Sequence, residues 1–191
     1  MNSFKRTVFY FLFLLNSQNG LFSQTNLVPG QITTNLTLNG TNLVNTSVVI
    51  QTNATLTIEA GTTMLMNTAV VITVYGKLIA SGTTNQPIYF TRATTSARWN
   101  RIMFIKASDS AFTNCYFEFA NCAGNHLDYY DNDCNPDTPP PARSYHEAIV
   151  AIGTHLDFDS CVFRNLPDTS SSAEGDALAI ISDDPQVAGI S

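Results

Sequence analysis

Charge is scarce in this chain. Asp, Glu, Lys and Arg make up 13% of 191 residues, and Glu59 is the only acidic residue before Asp109. The nine basic residues form no run or patch, and the formal net charge is −6. Such a chain lacks the positive face that a polyanion requires, so nucleic acid is not an expected partner. Helix signals are also missing. Past residue 24 no long stretch places apolar residues at a 3.6-residue period, which argues against a helical bundle and an α/β fold. The four cysteines at 115, 122, 134 and 161 contain no C-x-x-C pair, so a zinc site has little support. No segment after the first fifteen residues is apolar enough to span a bilayer.

What is present begins with a leader. Lys5 and Arg6 precede the apolar run "TVFYFLFLL", and polar residues with "LFSQ" follow. A positive region, a short apolar region and a small-residue cleavage site predict a signal peptide over residues 1–23, cut after Ser23. The run is about half the ~20 residues of a membrane span. The expected location is therefore secreted or cell-surface. Loss of Lys5 and Arg6 leaves seven basic residues against fifteen acidic ones, a net charge of about −8.

The strongest pattern is a repeat. "FTNCYF" at 112–117 returns as "FDSCVF" at 158–163, and residues 101–120 align with 147–166 without a gap at an offset of 46. That alignment sets Phe104 on Val150, Phe112 on Phe158, Cys115 on Cys161 and Phe117 on Phe163. Each copy holds two short alternating apolar runs, a strand signal. A third copy starts at Gly175 in "GDALAIISDD". Upstream, "ATLTIEAGTTMLM", "AVVITVYGKLIASG" and "QPIYFTRA" keep the same beat in looser form. An antiparallel sandwich wants hairpin turns and no in-register repeat. A parallel solenoid wants one equivalent position per coil, stacked about 4.8 Å from the next. The pattern predicts an all-β fold, a right-handed parallel β-helix. Ile102, Phe104, Phe112, Phe117, Val150, Ile152, Phe158, Phe163 and Ile180 should point inward, with Cys115 and Cys161 neighbours in one ladder. Residues 24–46 read as an irregular cap or lead-in, and 47–191 as coils interrupted by a long acidic loop at 121–146. The third copy stops near its second strand, so further coils are expected C-terminally, and the chain reads as the front of a longer solenoid.

Four runs carry a family resemblance: "LTIEAGT" (56–62), "GKLIASGT" (76–83), "PIYFT" (87–91) and "WNRIMF" (99–104). Together with the "F-x-[NS]-C-x-F" copies they resemble the pectin-lyase-like, right-handed parallel β-helix family of secreted bacterial proteins, over about residues 45–190. The resemblance implies a polysaccharide partner. It also implies, as one alternative, a polysaccharide lyase or glycoside hydrolase. Of that family's hydrolase motifs, G-H-G and R-x-K are missing here. Asp183-Asp184 forms a D-D pair, but within "SDDPQ" it reads as a turn. One fold hosts many chemistries, so fold alone does not select among them.

The loop "HLDYYDNDCNPDTPPPARSYH" is the candidate site. Asp128, Asp131, Asp133, Asn135 and Asp137 place oxygen donors at close intervals, the pattern with which a loop wraps one calcium ion. The loop lacks the Gly and Glu positions of an EF-hand, and a solvated acidic loop is the competing reading. Tyr129, Tyr130 and Tyr145 offer rings for stacking on sugar, or for folding the loop onto the coils. Cys122 and Cys134 bracket thirteen residues, and a disulfide there would contribute ~3 kcal/mol in the chain-entropy model. This pair is favoured over Cys115–Cys161, where buried cysteine serves as a small hydrophobe. His126, His146 and His155 suggest no catalytic triad. The threonines do not read as recurring at one coil position, which argues against a regular ice-ordering array. The expected function is an exported β-helix scaffold or carbohydrate-binding module without catalysis in this stretch. The alternative is a lyase or hydrolase whose catalytic coils lie beyond Ser191.

Overall fold

The computed structural model describes residues 25–120, 147–166 and 177–181. Among them every regular element is a short strand. The first circuit of the chain runs through β1 (Thr25–Leu27), β2 (Gln31–Ile32) and β3 (Leu36–Leu38). The second is β4 (Thr41–Val44), β5 (Val48–Ile50) and β6 (Thr55–Ile58), and the third β7 (Thr63–Met66), β8 (Val71–Val74) and β9 (Lys77–Ser81). Next come β10 (Ile88–Arg92), β11 (Arg101–Ile105) and β12 (Ser110–Thr113), then β13 (Cys115–Glu118), β14 (Ile149–Ile152) and β15 (Leu156–Asp159). β16 (Val162–Arg164) and β17 (Leu178–Ile181) begin a sixth. Each strand pairs in parallel with the strand three places on. The result is three sheets: A (β1-β4-β7-β10-β13-β16), B (β2-β5-β8-β11-β14-β17) and C (β3-β6-β9-β12-β15). This is a right-handed parallel β-helix, the hand that parallel crossovers take. Residues 25–44 supply strands to all three sheets.

The chain folds this way because four-residue strands alternate. In β6, β7, β8 and β11 every second residue is buried and its neighbours are half-exposed. β-Branched and aromatic residues suit such a surface, packing against same-face neighbours one strand away. Inward positions therefore line up as ladders. Sheet A carries Asn42, Met64, Phe90, Phe117 and Phe163 in one row. Sheet B carries Val48, Ile72, Ile102, Ile149 and Leu178, with Ile50, Val74, Phe104, Ala151 and Ile180 beside them. Sheet C contributes Ile58, Ala80, Phe112 and Phe158. The core changes along the axis, from aliphatic in the early coils to aromatic in the later ones. Phe90, Phe117 and Phe163 stack at 4.9 and 4.8 Å, and Phe112 stacks on Phe158 at 5.2 Å. The two columns meet edge to face, Phe112 on Phe117 at 5.3 Å, a geometry that aromatic quadrupoles favour.

Corners recur as well. Between sheets C and A the chain takes a left-handed backbone conformation at Gly40, Gly61, Asn114 and Ser160. After the sheet A strands of the fifth and sixth coils it does so again, at Phe119 and Asn165. Gly76, between β8 and β9, is required by close approach. A Cβ there would lie 2.2 Å from the carbonyl oxygens of both Gln51 and Ala54.

Cys115 and Cys161 occupy one ladder of sheet A as expected, since Thr113 faces Asp159 before them and Tyr116 faces Val162 after them. Two expectations need correction. Val150 and Ile152 do not point inward. In sheet B the offset is 47, with Ile102 facing Ile149, Met103 facing Val150 and Ile105 facing Ile152. In sheets C and A it is 46. The B-to-C corner has four residues in the first copy (106–109) and three in the second (153–155), so the repeat contains a one-residue gap. Val150 and Ile152 thus lie on the outer side of sheet B, where they are buried with Met103 rather than in the central core. The threonines do recur: Thr25, Thr41 and Thr63 form one outward ladder, and Thr37 faces Thr57.

Candidate functional site

Outward residues of a solenoid are free of the core and set what the surface can do. On sheet A the outward ladder reads Thr25, Thr41, Thr63, Tyr89, Tyr116, Val162. It changes from short to tall side chains at β10. Tyr89 and Tyr116 are half-buried and stacked, ring centroids 5.0 Å apart and planes 19° from parallel. The far face of Tyr116 lies under the Arg164 guanidinium, 4.8 Å from the ring centroid. The far face of Tyr89 looks toward Thr63, whose side chain is too short to cover the outer part of a phenol ring. Thr41 and Thr63, with Leu43 and Leu65 alongside, form a shallow floor, and Tyr89 stands at its end as a wall.

The cation behind the wall is held in place. Nε and Nη2 of Arg164 both reach Oε1 of Glu118 at 2.5 Å, across one strand spacing. The Glu118 side chain is 10% exposed and that of Arg164 50%. Two donors converging on one largely buried carboxylate oxygen fix the orientation of the guanidinium. The Glu118 carbonyl accepts the indole N–H of buried Trp99 at 2.6 Å, which anchors the end of β13. Next along, Phe119 adopts a left-handed conformation and presents its ring beneath Arg92, 3.8 Å from the centroid. Arg92 also donates from Nη1 to the Thr95 carbonyl at 2.5 Å.

Chemically, this strip offers the half-buried Tyr89 ring, phenol and threonine hydroxyls and the Arg164 guanidinium, groups able to meet a surface of hydroxyls and apolar C–H. Among the described residues no three His, Cys, Asp or Glu side chains converge as metal donors. None of the described residues forms a helix long and apolar enough to cross a membrane.

The calcium candidates Asp128, Asp131, Asp133, Asn135 and Asp137 lie outside the described residues. So do Tyr129, Tyr130 and Tyr145, the Cys122–Cys134 pair, His126, His146 and the Asp183-Asp184 pair. His155 is exposed and 3.7 Å from Asp157 in sheet C, apart from the tyrosine wall. The tyrosine wall was missed from sequence. Its signal is present: "IYF" at 88–90 and "CYF" at 115–117 both place a tyrosine between two inward residues, so both tyrosines share one outward position. Comparison with protein-family models, curated proteins and solved structures finds no match to this chain.

Proposed function

We propose that this chain is an exported β-helix module that binds polysaccharide along the outer face of sheet A. The observation that carries the reading is the step from the threonine floor to the Tyr89 wall, backed by Tyr116 and Arg164. A pyranose presents an apolar C–H face, which fits the open side of Tyr89, and a rim of hydroxyls, which fits Thr41 and Thr63. The guanidinium of Arg164, held over Tyr116, adds a donor for a uronic acid carboxylate. The four runs at 56–62, 76–83, 87–91 and 99–104 support kinship with the pectin-lyase-like β-helices, and the leader at 1–23 supports export. The acidic loop with Asp128, Asp131, Asp133, Asn135 and Asp137 is proposed as a calcium loop.

The test is affinity electrophoresis of the mature chain through gels containing polygalacturonate, xylan or chitin. At least one polysaccharide should retard the unmodified protein. Tyr89→Ala should abolish the retardation, and Tyr89→Phe should keep most of it. Retardation unchanged by both Tyr89→Ala and Thr63→Tyr, which would fill the step, would refute this site. Calcium should raise the melting temperature of the mature chain, and Asp131→Ala with Asp133→Ala should remove that rise.

A further inference from the structure

Cys115 and Cys161 are both free thiols; Cys115 opens β13 and Cys161 immediately precedes β16, so the flanking register brings them to the same step of neighbouring coils. The register is fixed on both sides of them: Thr113 faces Asp159, and Tyr116 faces Val162. Each cysteine follows a residue held in the left-handed region, Asn114 and Ser160, so the two corners superimpose. Parallel neighbours of this kind have Cα atoms ~4.8 Å apart. A disulfide needs ~4.4–6.8 Å. Each thiol also donates to the equivalent carbonyl one coil back, Cys115 to Ala80 at 3.6 Å and Cys161 to Phe112 at 3.4 Å, so the two side chains are oriented alike. The two thiols differ in access: Cys115 is fully buried beneath the Phe117 column, and Cys161 is half-exposed. A cysteine that only fills space requires neither a second thiol in contact with it nor this asymmetry.

We propose that Cys115 and Cys161 form a reversible thiol–disulfide site between the fifth and sixth coils, with Cys161 as the attacking thiol and Cys115 as the resolving one. The oxidant is an external disulfide. The Cys161 thiolate attacks one sulfur of that disulfide, breaking its S–S bond and releasing one thiolate. The mixed disulfide on Cys161 is then attacked by the Cys115 sulfur, whose proton passes to the departing thiolate. That attack breaks the mixed bond, forms Cys115–Cys161 and releases the second thiol. Two protein thiols are oxidised, and one external disulfide is reduced to two thiols.

The polarity of the thiols supports this order. The neighbouring Cys115 thiol lowers the pKa of Cys161 to about 7, outweighing the opposing effect of burial. The same contact, with burial, pushes Cys115 well above the usual thiol range. Capping Cys161 removes the negative partner that holds the Cys115 proton, so the resolving step becomes easier once the first has occurred. In-register parallel Cβ atoms are farther apart than a relaxed disulfide prefers, so the bond should be strained and readily reduced.

The test uses the full chain with Cys122→Ala and Cys134→Ala, equilibrated in oxidised and reduced glutathione, quenched in acid, alkylated and mapped by mass spectrometry. Under oxidising buffer the two cysteine peptides should appear joined, with two hydrogens lost, and a dithiol reductant should restore both thiols. Far-UV circular dichroism should not change. Adding Cys115→Ser should instead trap one glutathione on Cys161. Adding Cys161→Ser should leave Cys115 at least about tenfold slower to label than Cys161. If Cys115→Ser does not fold, Cys115→Ala gives the same reading. Three outcomes would overturn the proposal: both thiols stay reduced in the folded chain, they join only in urea, or the glutathione adduct on Cys161 persists with Cys115 intact. In the unmodified chain, pairing of Cys161 with Cys122 or Cys134 would also overturn it.

Discussion

Phe117→Ala tests whether the coils are held by the aromatic columns. The ring is fully buried, stacked between Phe90 and Phe163 at 4.9 and 4.8 Å, and edge to face with Phe112 at 5.3 Å. Truncating a buried phenylalanine costs about 3–5 kcal/mol through lost transfer energy and the cavity left behind. Aromatic pairing adds ~0.5–1.5 kcal/mol for each lost contact, not additively. Relaxation is limited, because strands on either side are locked in register and cannot close on the hole independently. The upper part of the range, ~4–5 kcal/mol, is therefore expected. Phe163 stacks on Phe117 but is only half-buried, so Phe163→Ala should cost ~1–2 kcal/mol. Urea unfolding provides the assay. The only tryptophan, Trp99, is buried and bonded to the β13 end, so its fluorescence reports on the same coils. Circular dichroism reports on all of them. A domain is stable by ~5–15 kcal/mol in total. Solenoid stability is close to a sum over neighbouring coils. Phe117→Ala should thus separate the two probes, with tryptophan fluorescence changing at lower urea. A Phe117→Ala loss below ~1 kcal/mol, or one no larger than that of Phe163→Ala, would refute the columnar account.

Gly76→Ala should be the most damaging small substitution. Its methyl would meet two backbone carbonyls at 2.2 Å, and neither can move without breaking the second coil, so a loss of at least ~3 kcal/mol in urea unfolding is expected. Alkylation of Cys161 in the Cys122→Ala, Cys134→Ala chain should be half-maximal near pH 7, falling as pH drops through that value and level above it, rather than rising through 9.0 like an ordinary thiol. The influences that set this midpoint are, in order, Cys115, which lowers it, burial, which raises it, and Asp159, whose backbone lowers it while its charge raises it. Cys115→Ala should accordingly move the midpoint upward, and an unmoved midpoint would mean that the contact between the sulfurs is not its cause.

The architecture was legible because burial in a solenoid repeats. "FTNCYF" and "FDSCVF" share an alternation, and that alternation places Phe112 on Phe158 and Phe117 on Phe163 in the folded chain. The reading failed at "EAIVAI". This strand is apolar at every position and buried on both faces, so it has no alternation to fix its register. An ungapped alignment then assigned Val150 to the core, and only the lengths of the corners, four residues against three, reveal the slip. Corner chemistry carried usable information. Asn114 and Ser160 share a left-handed conformation at an offset of 46, while Lys106 and Gly153 share one at 47. Two left-handed positions at different offsets within one repeat require a gap between them.

The outer face is harder to read for a physical reason. An inward residue must be apolar and fit its neighbours above and below, so the same types return at each coil. An outward residue meets only solvent and its two ladder neighbours, and Thr, Tyr and Val all satisfy the backbone equally. Sheet A therefore keeps a continuous inner row while its outer row passes from threonine to tyrosine to valine. That freedom permits function. Replacing Thr63 or Tyr89 alters no core contact, so a step between floor and wall can be built or removed at little cost to the fold. The same reasoning separates the two sites. Tyr89→Ala loses its stack on Tyr116 and should cost only ~0.5–1.5 kcal/mol, far less than Phe117→Ala, while abolishing sugar retention. Closing Cys115–Cys161 should move the midpoint, because that bond joins neighbouring coils through the core.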